Sequence, residues 1–168
     1  MNPFQRARDE ARATREKLAP GKADVALPAR DLLSAVEGIL KLAIEPVEPN
    51  YPDLGEGSAV LQREQRFIYV SKEVPVWGDK FCGLVAHELG HWHLDATKAP
   101  TTVAQLKTLL GSDGAPAVLK VEAYGARERQ ELQANVYARE LLLPRGLARN
   151  IALSGEGPDK VSLQLGIP

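Results

Sequence analysis

Five consecutive residues, His87-Glu88-Leu89-Gly90-His91, constrain this chain more than any other stretch. They match the pattern H-E-x-x-H, which places two imidazoles at i and i+4, one above the other on a helix face. Two rings so placed can bind one zinc ion, which takes about four tetrahedral ligands. Glu88 lies one step around the helix, beside the ion, where a carboxylate can act as general base on an activated water. The expectation from the motif is a zinc-dependent peptidase. The flanking Phe81, Leu84, Val85, Ala86 and Leu89 are apolar, as in a helix packed in a core. Gly90 costs about 1 kcal/mol of helix propensity relative to Ala, and its missing side chain leaves room for a close backbone approach.

The chain has 168 residues, enough for one domain with short appendages and a real core. Lys+Arg 21 against Asp+Glu 22 leaves no basic excess for nucleic-acid binding. Cys82 is the single cysteine, so neither a disulfide framework nor a cysteine-based zinc site is available. Five residues before His87, it reads as a small buried apolar residue rather than a ligand. Met1 to Glu10 lacks the apolar core of a signal peptide, and no run approaches the roughly 18 apolar residues of a membrane span. The expected setting is cytoplasmic, with no membrane contact and no direct nucleic-acid binding.

Residues 1–24 are expected to form a charged, alanine-rich, solvated helical arm, stopped by Pro20-Gly21. A second helix is expected from Pro28, with Leu32, Leu33, Val36, Ile39 and Leu40 at helical spacing. Ile44 to Val47 reads as a short strand ended by Pro46 and Pro49. Ala59-Val60-Leu61 and Phe67-Ile68-Tyr69-Val70 read as two more, joined by a polar hairpin turn from Gln62 to Arg66. The motif helix is expected from Asp79 to His93, a third from Val103 to Leu110, and a long buried one from Arg127 to Leu143. Pro144 to Leu153 reads as a short helix, and Asp159 as the cap of a last one. The domain expected is 25–153, with a C-terminal helical segment at 154–168. Its abrupt ending, Leu165-Gly166-Ile167-Pro168, reads as that of an excised domain.

A catalytic zinc takes three protein ligands and keeps a position for water. His93, the only other histidine, falls about 200° around the helix from His91 and faces elsewhere. Asp95 is too near in sequence to reach back. Glu122, Glu128, Glu131 and Glu140 are the downstream oxygen donors, and Glu131 is favoured. Asn135, four residues on, shares its helix face and can accept a hydrogen bond from the outer nitrogen of a ligand histidine. His93, Tyr124 and Tyr137 are candidate donors to a developing oxyanion. Trp77 and Trp92 could line a cleft, although core packing suits Trp92 better, and Ala96 to Pro100 reads as a cleft rim.

The stretch Phe81 to His91, followed by Glu131-Leu132-Gln133-Ala134-Asn135-Val136-Tyr137-Ala138-Arg139-Glu140-Leu141-Leu142-Leu143-Pro144, resembles the ImmA/IrrE family of metallopeptidases. The second motif of that family reads roughly E-x-x-A-N-x-F-A-x-x-L-L-M-P. Tyr137 stands here for Phe and Leu143 for Met. The resemblance covers the chain from about Pro28 to its end. It implies an α+β, zincin-like fold, mostly helical around a small three-stranded sheet. It implies the gluzincin arrangement, with His87, His91 and Glu131 as zinc ligands and Glu88 as base. Manganese or iron would suit the same donors. The implied substrate is a helix-turn-helix repressor controlling a stress response or mobile element. The insert between His91 and Glu131 is long for the family. Tyr124-Gly125-Ala126-Arg127-Glu128-Arg129, just ahead of the second motif, also resembles versions found with superfamily 1 helicases. The alternative expectation is therefore a metal-containing accessory module that works with a helicase or regulator. An intact Glu88 speaks against that alternative, because a structural site has no use for a base.

Overall fold

The computed structural model describes residues 2–22, 24–94 and 126–155, with Gly157 and Lys160 beyond them. The expected helices at Val103–Leu110 and after Asp159, the rim at Ala96–Pro100, and Tyr124, Glu122 and Asp95 lie outside the described residues.

The first helix, α1 (Pro3–Leu18), starts where Asn2 can cap it: the Asn2 side-chain oxygen accepts from the Phe4 amide at 2.9 Å, and Pro3 follows as a residue that needs no amide partner. Ala7, Ala11, Thr14 and Leu18 recur at i, i+4, i+7 and i+11 and are all buried. The helix is therefore part of the core and not the solvated arm that its composition suggests. Its apolar stripe is built mainly of alanine, which lets another helix come close. Arg15 is also buried. It donates to the carbonyls of Lys22 and Leu141, and so ties the end of α1 to a later helix.

α2 (Ala29–Ala35) runs directly into one π-helical turn, Val36–Leu40, closed by Lys41 at φ 56°. Leu32, Leu33 and Val36 are buried as the periodicity predicts, whereas Ile39 is half exposed. The wider turn rotates residues after Val36 off the α-helical stripe.

The sheet has the order β1-β3-β2, with β1 (Ala43–Val47) parallel to β3 (Phe67–Ser71) and β2 (Ala59–Gln62) antiparallel to it. Pro46 does not end β1, contrary to expectation: the strand continues through Val47, with Pro46 opposite Val70. Among the described residues β1 is an edge strand, where proline's missing amide need cost no ladder bond. Ile68 and Val70 of β3 point into the main core; Tyr69 and Phe67 turn to a smaller cluster with Val47, Leu54 and Tyr51. The β2–β3 turn carries Arg66 at φ 60°.

α3 (Asp79–Leu94) is the central element. Phe81, Cys82, Val85, Ala86, Leu89 and Gly90 are fully or almost fully buried. Burial pushes the Cys82 thiol up to about 12, as fits an inert packing residue. The hairpin arginine Arg63 donates to the carbonyls of His91 and Trp92 and lies over the Trp92 ring, which fastens the last turn of α3 to the sheet. Trp92 is thus partly buried packing.

α4 (Ala126–Leu142) packs along α3 on one side and α1 on the other. Pro144 then opens α5 (Arg145–Ser154), which ends at Gly155 with φ 73°. The ensemble is a mixed α+β structure, mostly helical with a small three-stranded sheet. Among the described residues no helix is long and apolar enough to cross a membrane.

If α1 is core, removing residues 1–18 lowers the melting temperature by roughly 10 °C or more, since it uncovers the apolar faces of α3 and α4 that Ala7, Ala11 and Leu18 cover. Thermal denaturation followed by circular dichroism checks this; an unchanged melting temperature would restore the solvated-arm reading.

Candidate metal centre

The site is built on the crossing of α3 and α4. A Cβ placed on Gly90 would lie 2.8 Å from the Ala134 Cα and 3.0 Å from both its Cβ and its carbonyl oxygen. The first distance is shorter than real Cβ contacts and the other two are at their tight limit, against backbone that cannot swing aside, so a side chain here would push the two helices apart. The approach sets His87 and His91, flanking Gly90, against Glu131 and Asn135, flanking Ala134.

The donor atoms converge. The His87 Nε2 lies 3.1 Å from Glu131 Oε2 and 3.0 Å from His91 Nε2, and the His91 Nε2 lies 3.5 Å from Glu131 Oε1. The three side chains form one group with ligand atoms all within 4.8 Å of one another. Donors about 2.05 Å from a tetrahedral zinc would be separated by roughly 3.3 Å, which is the spacing found.

The proton inventory points the same way. The Asn135 Oδ1 lies 3.0 Å from His87 Nδ1. An amide oxygen only accepts, so His87 carries its proton on Nδ1, and its Nε2 presents a lone pair. That lone pair faces a carboxylate oxygen and a second ring nitrogen. A divalent cation among these atoms would be met by that lone pair, by the carboxylate and, in its Nδ1–H tautomer, by the His91 Nε2. The residues present therefore fit a divalent metal.

Glu88 stands beside the triad with its side chain turned into the protein and only 8 % exposed. Burial raises its carboxyl above the ordinary range, while the His91 and His87 rings pull it down and Glu131 adds to the rise. The Leu61 backbone amide on β2 donates to it and helps hold its charged form. Leu61 and Arg63 are contributors that the sequence did not advertise. Both act across long separations, Leu61 through its backbone amide and Arg63 from a turn that reads only as polar.

The remaining candidates are placed elsewhere. His93 and Tyr137 stack on each other, with ring centroids 5.7 Å apart. Tyr137 is fully buried, and burial holds its hydroxyl up; burial holds the His93 imidazolium down, with Glu10 and Lys17 of α1 in its surroundings. The pair thus packs against α1 and is not positioned as the oxyanion donors expected. Glu140 is buried toward α1, where it accepts from Arg12 at 2.8 Å. Glu128 is exposed at the start of α4. Trp77, at φ 64°, is half exposed and packs on Phe81, with ring centroids 5.2 Å apart.

No protein-family model matches the chain, and no curated protein matches it.

Two substitutions test the geometry. Gly90→Ala should improve an isolated helix by about 1 kcal/mol, yet it is expected to destabilise the folded protein by roughly 1–3 kcal/mol and weaken metal binding, because α3 and α4 must part. Stabilisation in a melting experiment would contradict the close crossing. Asn135→Ala, at an exposed position, is expected to keep the fold and lower metal affinity roughly 10- to 100-fold in a chelator competition.

Proposed function

We propose that the chain is a zinc-dependent endopeptidase of the ImmA/IrrE type, with a zincin-like arrangement of α3, α4 and the sheet. The observation that carries the reading is the convergence of His87, His91 and Glu131 at ligand spacing with the buried carboxylate of Glu88 at their side. His87, His91 and Glu131 would hold the ion. Two imidazoles and one carboxylate suit zinc and leave a coordination position open. When bound, zinc supplies a Lewis acid that polarises a peptide carbonyl and acidifies a water.

The other steps belong to the protein. Glu88 accepts a proton from the attacking water and delivers it to the departing amine. Burial, the largest influence, raises its carboxyl above the ordinary carboxylate range against the pull of the His91 and His87 rings, which favours its taking up the proton. The Leu61 amide steadies the carboxylate while it is charged. Asn135 fixes the His87 ring and its tautomer. Arg63 holds the carbonyl of His91 and so the end of the helix on which that ligand stands.

The likeness of the two motifs supports a regulatory protein such as a helix-turn-helix repressor as substrate, in a cytoplasmic stress or mobile-element response. The buried position of Glu88 favours this reading over a metal-containing accessory module, since burying a carboxylate with no chemical task carries a desolvation cost and no return.

The test is elemental analysis joined to cleavage of the repressor encoded nearest the gene, read by mass spectrometry. Wild type is expected to carry one equivalent of zinc and to cut. Glu131→Ala should lose the metal; its half-exposed side chain makes loss of fold an unsuitable explanation. Glu88→Gln should keep the metal and lose cleavage by about 10²-fold or more. Cleavage at the wild-type rate by Glu88→Gln, or zinc held equally by Glu131→Ala, would overturn the assignment.

A further inference from the structure

A cavity of about 430 Å³ opens against the centre just described. Gly83 and His87, at i and i+4, form its α3 side; Asn135, Ala138 and Leu142 present one face of α4; and Ala148 of α5 closes it. Leu143 and the exposed Arg139 complete the lining. Two features distinguish it from ordinary surface relief. His87 and Asn135 belong both to the cavity and to the donor set, so whatever fills it lies next to the metal position. Away from those two side chains and Arg139, the lining is aliphatic: Ala138, Leu142, Leu143 and Ala148 offer no side-chain donor or acceptor. Gly83 contributes no side chain at all, so the space extends to the α3 backbone.

We propose that this cavity is the subsite that takes a large apolar side chain of the substrate next to the bond that is cut. The proposal rests on the metallopeptidase reading and adds to it the chemistry of the residue recognised. A volume of about 430 Å³ lies in the range of built ligand sites. An aromatic or long aliphatic side chain would remove its apolar surface from water against four aliphatic residues. A carboxylate would lose hydration against those aliphatic residues, and Arg139, which belongs to the lining but is exposed, attracts it only through screening solvent. Specificity is then set by Gly83 and Ala148, the two positions whose small size keeps the space open from opposite sides.

The test uses the zinc-loaded full chain and calorimetric titration with three hydroxamates: acetohydroxamate, and two larger analogues that carry a benzyl or a carboxymethyl group on the same carbon. Acetohydroxamate reads the metal alone. The benzyl compound is expected to bind wild type roughly 10- to 100-fold more tightly than acetohydroxamate, and the carboxymethyl compound no more tightly. Gly83→Leu and Ala148→Phe, each filling the cavity from a partly exposed position, should abolish the benzyl gain while leaving zinc content, melting temperature and acetohydroxamate affinity unchanged. Either variant, if folded, suffices. If the benzyl gain is absent in wild type, survives in the filled variants, or is matched by the carboxymethyl compound, the subsite proposal is overturned while the metal centre stands. If acetohydroxamate itself fails to bind zinc-loaded wild type, the metallopeptidase reading fails and the subsite falls with it.

Discussion

The contact between Gly90 and the backbone of Ala134 is the constraint on which the rest depends. Helices packed through ordinary side chains lie about 8–10 Å apart at their axes. A Cβ on Gly90 would fall 2.8 Å from the Ala134 Cα, so this pair approaches more closely than side chains would permit. Without the approach, imidazoles on α3 and a carboxylate on α4 would be separated by a layer of packing. With it, donors four residues apart on each helix face one another. The arrangement sacrifices helix propensity in the middle of a central helix. The burial of Phe81, Val85, Ala86 and Leu89 around that glycine supplies the compensation.

α4 serves two neighbours, and its charges are sorted accordingly. Glu131 and Asn135, near its start, meet α3. Glu140, near its end, is buried against α1, where Arg12 donates to it. Tyr137 and His93 fill the space between as packing. The first helix is thus a brace for the helix that carries the acidic donor, and its alanine stripe keeps it close. Beside the triad, Glu88 is drawn in opposite directions by burial and by two rings. The same low-polarity surroundings that raise its carboxyl also strengthen the pull of neighbouring charges.

What was legible in the sequence was whatever local spacing encodes. His87 and His91 stand on one helix face because i and i+4 must, and Glu131 and Asn135 repeat that relation. Gly90 could be read as a point of close approach, although its partner could not. The three strands, the motif helix and the breaks at Pro144 and Gly155 followed from alternation and turn chemistry. Three features escaped for physical reasons. The α1 stripe is alanine amid charges, so it looks polar by composition yet packs well by size. Pro46 reads locally as a terminator, but the side of a strand that needs no amide depends on its place in the sheet. Leu61 and Arg63 act through a backbone amide and a guanidinium reaching distant carbonyls, and neither carries a local signature. The expected oxyanion donors failed similarly: His93 and Tyr137 had the right chemistry, but the packing of α1 claimed them.

The central claim is that two histidines and a glutamate, brought together by the Gly90 crossing, bind one metal ion. X-ray absorption at the zinc edge, on protein carrying one equivalent of zinc, tests it most directly. A four-coordinate ion with two imidazole scatterers and two oxygens, no sulfur, and an unchanged spectrum in His93→Ala is expected. A spectrum of six light-atom ligands without imidazole scattering, or one that loses a ring in His93→Ala, would contradict it.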